Sequence, residues 1–255
     1  MWRTVAIALF TIGWSVPVVL AGVLRFRRLT IALCYRWVRV SAWLTGARVR
    51  VRQLAPLPSG AAIYMANHVS QIDILALMLA VPRPCTFIAK AELRRVPCFG
   101  PSLAAFGIVF VKRGRRDSAQ DALASAATAL AEGRPLVVFP EGTRGQEGGP
   151  LLPFKSGVFR LAQSARVPVV PVAIRGAGHV LPKHAIKMRP GQVEVVLGAA
   201  LPPADFADMP VRAFAGQVRD AVNHLASVND SSPSANQASE GAGFCDGPAS
   251  TYRFQ

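Results

Sequence analysis

The hydrophobic pattern changes character three times along the chain. Residues Thr4–Leu24 carry no charge over 21 positions. As a helix they would span about 32 Å, against a bilayer hydrocarbon core of about 30 Å. Arg3 precedes this run, and Arg25, Arg27 and Arg28 follow it. The heavier basic flank places the C-terminal side toward the cytoplasm. Pro17 is expected to kink the helix. A cleaved signal peptide ending at Val19-Leu20-Ala21 is the alternative. One Arg before the run and a strongly basic flank after it argue for a retained anchor.

Residues 29–46 show a second pattern. Leu29, Leu33, Trp37, Val40 and Leu44 recur at steps of three and four, with Arg36 and Arg39 off the stripe. This predicts an amphipathic helix with a basic edge, suited to a headgroup layer; a helix packed on a core has the same periodicity.

From residue 47 short apolar runs alternate with helical ones. Strands are expected at 49–52, 61–66, 86–89, 108–111, 136–139, 169–174 and 193–197. Helices are expected at 74–80, 118–130, 158–165 and 211–226. Such alternation implies an α/β fold with a mostly parallel sheet flanked by helices on both faces. The N-terminal segment would be membrane-associated. The expected organisation is an anchor and interfacial helix over 1–46, a catalytic domain over 47–227, and a disordered tail over 228–255, rich in Ser, Asn, Gly and Ala.

Charge narrows the class. The 255 residues hold 29 Lys and Arg against 14 Asp and Glu, a net +15, yet only 17% of residues are charged. Mean hydropathy is +0.32. That combination excludes a disordered polyelectrolyte. It points to anionic lipid, with nucleic acid as the other basic-protein partner. Nine arginines precede the first acid, Asp73. Cys34, Cys85, Cys98 and Cys245 form no CxxC pair and no metal spacing, which suits a reduced compartment.

Two loops following buried strands carry candidate chemistry. In Asn67-His68-Val69-Ser70-Gln71-Ile72-Asp73, the His and Asp are five apart. On one continuous helix they would point about 140° apart. They meet if His68 sits on the strand-end turn and Asp73 in the first helical turn. Asp73 would then fix the imidazole tautomer and leave the other nitrogen as a base. The spacing equally allows Asp73 to cap a helix and His68 to be a turn residue. The second loop is Phe139-Pro140-Glu141-Gly142-Thr143-Arg144. Arg144 suits bidentate phosphate binding and Gly142 close backbone approach; a plain Pro-Gly surface turn is the alternative. The run Lys112-Arg113-Gly114-Arg115-Arg116 reads as a phosphate patch or a solvated charge run, and Lys155 adds a cation beyond Arg144.

Taken in order, these blocks resemble the glycerolipid acyltransferase family, specifically the 1-acylglycerol-3-phosphate (lysophosphatidic acid) acyltransferases. The NHxxxxD block is Asn67 to Asp73, the GxxFxxR block Gly107 to Arg113, the FPEGTR block Phe139 to Arg144, and the VPxxPV block Val167 to Val172. One position departs: many members have an acid where this chain has Lys112, which bears on acceptor choice.

The resemblance implies transfer of an acyl group from acyl-CoA or acyl carrier protein to the sn-2 hydroxyl of lysophosphatidic acid, giving phosphatidic acid. His68 would be the base and Asp73 its orienting partner, with the substrate hydroxyl in place of an enzyme serine. Arg113, Arg144 and Lys155 would hold the acceptor phosphate. Glu141 would position the acceptor or those cations, with Gly142 and Thr143 completing the loop. No cofactor or metal is expected, and the partners are membrane lipid and the two substrates, not nucleic acid. Another lysolipid, such as lyso-ornithine lipid, is the alternative acceptor. A serine hydrolase lacks its G-x-S-x-G elbow here, and a non-catalytic basic binder lacks a nucleic-acid signature.

Overall fold

Seven short β-rich stretches pair into one sheet in a computed structural model that describes residues 1–112 and 114–227. They are β1 (Ala47–Gln53), β2 (Ile63–Ala66), β3 (Thr86–Lys90), β4 (Val109–Val111), β5 (Leu136–Val138), β6 (Val169–Arg175) and β7 (Gly191–Leu197), in the order β1-β7-β6-β2-β5-β3-β4. Among these pairings only β6 with β7 is antiparallel. Pro171 lies within β6, where a missing N–H would break a ladder. It is tolerated because pairing with β7 begins one residue later, at Val172.

The helices are α1 (Trp2–Val23), α2 (Arg27–Thr45), α3 (Ile72–Ala80), α4 (Phe99–Phe106), α5 (Arg116–Ala131), α6 (Gly157–Ala165), α7 (Ala177–Val180) and α8 (Val211–Ser227). The period-2 alternation of the strands divides the core into two layers. Tyr64, Ala66, Val170, Val172 and Ile174 pack with Leu75 and Leu77 of α3 and Val38 of α2. Ile63, Met65, Leu136 and Val138 pack with Leu130 of α5, Phe159 of α6 and Phe214, Val218 and Val222 of α8. Each buried Val, Leu, Ile, Met or Phe among them contributes about 1.5–3 kcal/mol. On the edge strand β1, Arg48, Arg50 and Arg52 alternate with valines; such charges disfavour edge-to-edge pairing.

The expected strands and long helices are present. The 3-10 turn at Ala91–Arg95 and the helices α4 and α7 were not expected; Gly100, Pro101 and the shortness of α7 hid them. The tail expected over 228–255 lies outside the described residues.

The α2 stripe needs correction. Its buried residues are Thr30, Val38, Ser41, Ala42 and Thr45, whereas Leu29 is exposed and Leu33, Trp37, Val40 and Leu44 are half-buried. The small and hydroxyl residues win the interior because α2 is wedged between α1 and α3, where backbones approach closely. Two indoles tie the helical pair together: Trp14 Nε1 donates to the Leu33 carbonyl at 2.9 Å, and Trp37 Nε1 to Thr11 Oγ1 at 3.1 Å. Arg3 donates to the Leu44 carbonyl and Thr4 to that of Ile186, so α1 is also fastened to its surroundings at its first turn. Its outer face exposes Val5, Leu9, Ile12, Val16, Leu20 and Val23, an apolar stripe running the length of the helix.

Candidate active site

His68 follows the carboxyl end of β2, and Asp73 lies in the first turn of α3. The turn between them folds back, and His68 Nδ1 lies 2.8 Å from Asp73 Oδ2. The backbone N–H groups of Val69 and Ser70 donate to the same oxygen, at 2.7 and 2.9 Å. Two donors aimed at Oδ2 leave no room for a proton on it. The imidazole therefore donates from Nδ1, and Nε2 keeps its lone pair. Asp73 is fully buried, and its Oδ1 meets no donor among the described residues.

The turn is held rigidly. Asn67 donates from Nδ2 to the Ile174 carbonyl at 2.9 Å and accepts from the Ile174 N–H at 2.7 Å, acting as an extra rung between β2 and β6. Ser70 Oγ donates to the Leu181 carbonyl at 2.8 Å. Phe139 stacks on the His68 ring at 3.9 Å between centroids. Asn67→Ala leaves two buried backbone groups unpaired, at about 1–3 kcal/mol each. The midpoint of thermal unfolding is expected to fall by roughly 2–4 °C per kcal/mol lost, readable by circular dichroism. An unchanged midpoint would remove the clamp from the account.

The loop after β5 is bonded directly to this turn. The His68 N–H donates to Glu141 Oε1 at 2.9 Å, and the Leu152 N–H to Oε2 at 3.1 Å. The Gly145 N–H donates to the His68 carbonyl at 2.7 Å. Glu141 is 4% exposed, and desolvation pushes its carboxyl above the ordinary value while the two amides pull it down. Each Glu141 oxygen thus accepts one backbone amide, and the carboxylate braces the His68 turn.

Gly142 has φ +68°, which a side chain tolerates poorly, and a Cβ there would stand 2.6 Å from Lys155 Cε and Nζ. The Lys155 stem therefore lies across Gly142, with its own N–H donating to the Pro140 carbonyl at 2.9 Å. The Arg144 carbonyl accepts from Lys183 Nζ at 2.7 Å. Thr143 is exposed and Arg144 half-buried. So His68, Asp73, Glu141, Gly142 and Lys155 share one neighbourhood; Arg113 lies outside the described residues. Glu147, passed over in the sequence, accepts from Gly176 and Gly178 N–H at 2.9 and 2.6 Å and pins the loop to α7. No local signal marks it, because its partners lie about thirty residues away.

Beside the His68 turn begins an apolar cavity of about 490 Å³. Gln71, Ile72 and Leu181 line it at this end; Trp14, Val18 and Phe106 line it among α1 and α4.

Residues 48–175, half of the chain, match the family model described as Acyltransferase. The chain belongs to the acyltransferase family. Among curated acyltransferase relatives, a 1-acyl-sn-glycerol-3-phosphate acyltransferase of Chlamydomonas reinhardtii is 39% identical over 158 residues, covering 62% of this chain and 47% of the relative. The human 1-acyl-sn-glycerol-3-phosphate acyltransferase alpha is 34% identical over 179 residues, covering 69% and 63%. The chain thus spans between about half and two thirds of these relatives. The crystal structure of the 1-acyl-sn-glycerophosphate (LPA) acyltransferase PlsC from Thermotoga maritima superposes with a TM-score of 0.72 at 28% identity, over 88% of this chain and 93% of that one. The expected mostly parallel α/β acyltransferase fold is therefore the observed one.

Proposed function

We propose that this chain transfers a fatty acyl group from a thioester donor to the sn-2 hydroxyl of 1-acylglycerol 3-phosphate, giving phosphatidic acid. The observation that carries the reading is the His68–Asp73 pair, 2.8 Å apart, on a turn whose Gln71 and Ile72 line an apolar cavity of about 490 Å³. The relatives named for this reaction add to it.

His68 Nε2 takes the proton of the acceptor hydroxyl as that oxygen attacks the thioester carbonyl. The C–S bond breaks, the thiolate leaves, and the proton on His68 passes to it. Asp73 holds the imidazole tautomer and stabilises the imidazolium. The apolar cavity holds an acyl chain. Arg144, Lys155 and Arg113 bind the acceptor phosphate. The donor is acyl-CoA or acyl carrier protein, and no resident cofactor is needed.

The catalytic domain spans 47–227 and is fastened to a helical pair whose apolar stripe lies in one leaflet, with the active site on the cytoplasmic side. Two observations favour lying over spanning: α1 is bonded to α2 at Thr11 and Trp14, and its first turn is tied to Leu44 and Ile186.

Acylation of lysophosphatidic acid by purified protein tests the function, with a phosphate-free lysolipid as the second acceptor. Preference for the phosphate-free acceptor would overturn the acceptor assignment. Arg144→Ala is expected to raise the KM for lysophosphatidic acid about tenfold while kcat changes little, as when uniform binding is lost. An unchanged KM would remove Arg144 from the phosphate site.

A further inference from the structure

A second hollow, of about 670 Å³, opens at the other end of the strands from His68. Its floor forms where Cys85 leads into β3 and Pro135 leads into β5. Four steps of extended chain separate Pro135 from Phe139 beside the His68 ring, about 13 Å at about 3.3 Å per residue. Three arginines line the hollow from three segments: Arg27 in the first turn of α2, Arg83 after α3, and Arg134 after α5. Glu132 is the acid that lines it, and Arg134 takes that carboxylate through Nε at 3.1 Å and Nη2 at 3.0 Å. Arg83 donates to the Ser59 carbonyl, which fixes that side chain at the rim. Three arginines against one glutamate leave a surplus of two positive charges.

The hollow adjoins the α1–α2 elbow, where Val23, Leu24, Phe26 and Leu29 are exposed. They follow directly on the apolar stripe of α1 in the chain. Guanidinium forks take phosphate oxygens bidentately, and an exposed apolar ridge next to them takes hydrocarbon. The two features together match a phosphate carried at the surface of a bilayer.

We propose that Arg27, Arg83 and Arg134 form a phosphate-binding site, separate from the catalytic centre, that holds the headgroup phosphate of an anionic phospholipid. Phe106 lines both this hollow and the apolar cavity, so the two share one wall. A lipid bound here fixes how the cavity stands relative to the leaflet. The site stands whether or not His68 is the base.

The test uses the full chain and vesicles of phosphatidylcholine with or without phosphatidylglycerol, at about 0.15 M salt, where diffuse charge is screened beyond about 8 Å. The triple variant Arg27→Ala, Arg83→Ala, Arg134→Ala is expected to lose about tenfold or more of its retention on the anionic vesicles. A control triple, Arg160→Ala, Arg212→Ala, Arg219→Ala, removes the same charge from exposed positions on α6 and α8. It is expected to change retention by less than about twofold. Acyl transfer in detergent micelles should be retained by both triples, which separates this result from failure of the catalytic reading. Inorganic phosphate is the second arm. A rise in unfolding midpoint with phosphate, seen in the wild type and lost in the pocket triple, supports the site and makes free phosphate a ligand as well. A response to vesicles alone supports the lipid headgroup as the sole source. Equal loss in the two triples overturns the proposal. If the pocket triple does not fold, Arg27→Glu, exposed at the start of α2, carries the same assay, and wild-type retention in it overturns the proposal.

Discussion

His68→Ala is expected to lower kcat for acyl transfer by about 10²–10⁴, the range that a positioned general base contributes. The fold should survive, because the Val69 and Ser70 N–H groups still hold Asp73 Oδ2 when the imidazole is gone. The stacked Phe139 ring can relax into the space. Asp73→Asn tests the other half of the pair. An amide at 73 can present its oxygen to the Val69 and Ser70 N–H groups, which keeps the turn. It then offers only a neutral partner to the imidazole, and kcat should drop through the loss of charge stabilisation. Purified variants, checked for folding by circular dichroism and assayed with lysophosphatidic acid, give the answer. Near-normal kcat in both would sink the dyad. A drop in His68→Ala with wild-type rates in Asp73→Asn would keep the base and remove its partner.

Glu141→Ala is expected to lower both stability and activity. It leaves the partly buried His68 and Leu152 N–H groups without this acceptor, at up to about 1–3 kcal/mol each. The unfolding midpoint should fall by roughly 2–4 °C per kcal/mol lost. Activity should fall as well, because the His68 amide is one of the points that fix the catalytic turn. Glu141→Gln keeps one acceptor and should lie between. Burial raises the carboxyl above its ordinary 4.5. Between the ordinary and the raised value the folded state binds more protons than the unfolded one, so stability falls as pH rises through that interval. A neutral Gln removes this dependence. Midpoints of the wild type should therefore decline with rising pH above the ordinary carboxylate range, and those of Glu141→Gln should decline less. Parallel profiles would show that Glu141 is not the group responsible. A wild-type midpoint and rate in Glu141→Ala would overturn its positioning role.

Several features of the site were legible in the sequence because they are local. A buried strand ending in Asn67-His68 and a helix opening at Asp73 fix a turn short enough to bring the two side chains together. Phe139 to Arg144 likewise follows a buried strand, so both loops had to emerge at the carboxyl edge of a parallel sheet. What Glu141 does was not legible. Its partners are an amide 73 residues earlier and another 11 later, and backbone amides leave no trace in residue type. The same holds for Glu147. The α2 stripe misled for a related reason: periodicity finds a face, but close packing against α1 and α3 selected the face of Thr30, Ser41, Ala42 and Thr45.

The sequence by itself determined the elements, the α/β class, the apolar N-terminal helix and the order of the motif blocks, because each rests on neighbours a few residues apart. Only the tertiary structure decided which groups meet. It set the hydrogen bonds that close the loop after β5 onto the turn after β2, the apolar cavity between α1, α3 and α4, and the gathering of Arg27, Arg83 and Arg134 at the amino ends of β3 and β5. Those arrangements depend on strand order, which places β5 beside β2 although more than sixty residues separate them. Pairing between distant segments is settled by the packing of the whole sheet, and no window of sequence contains it.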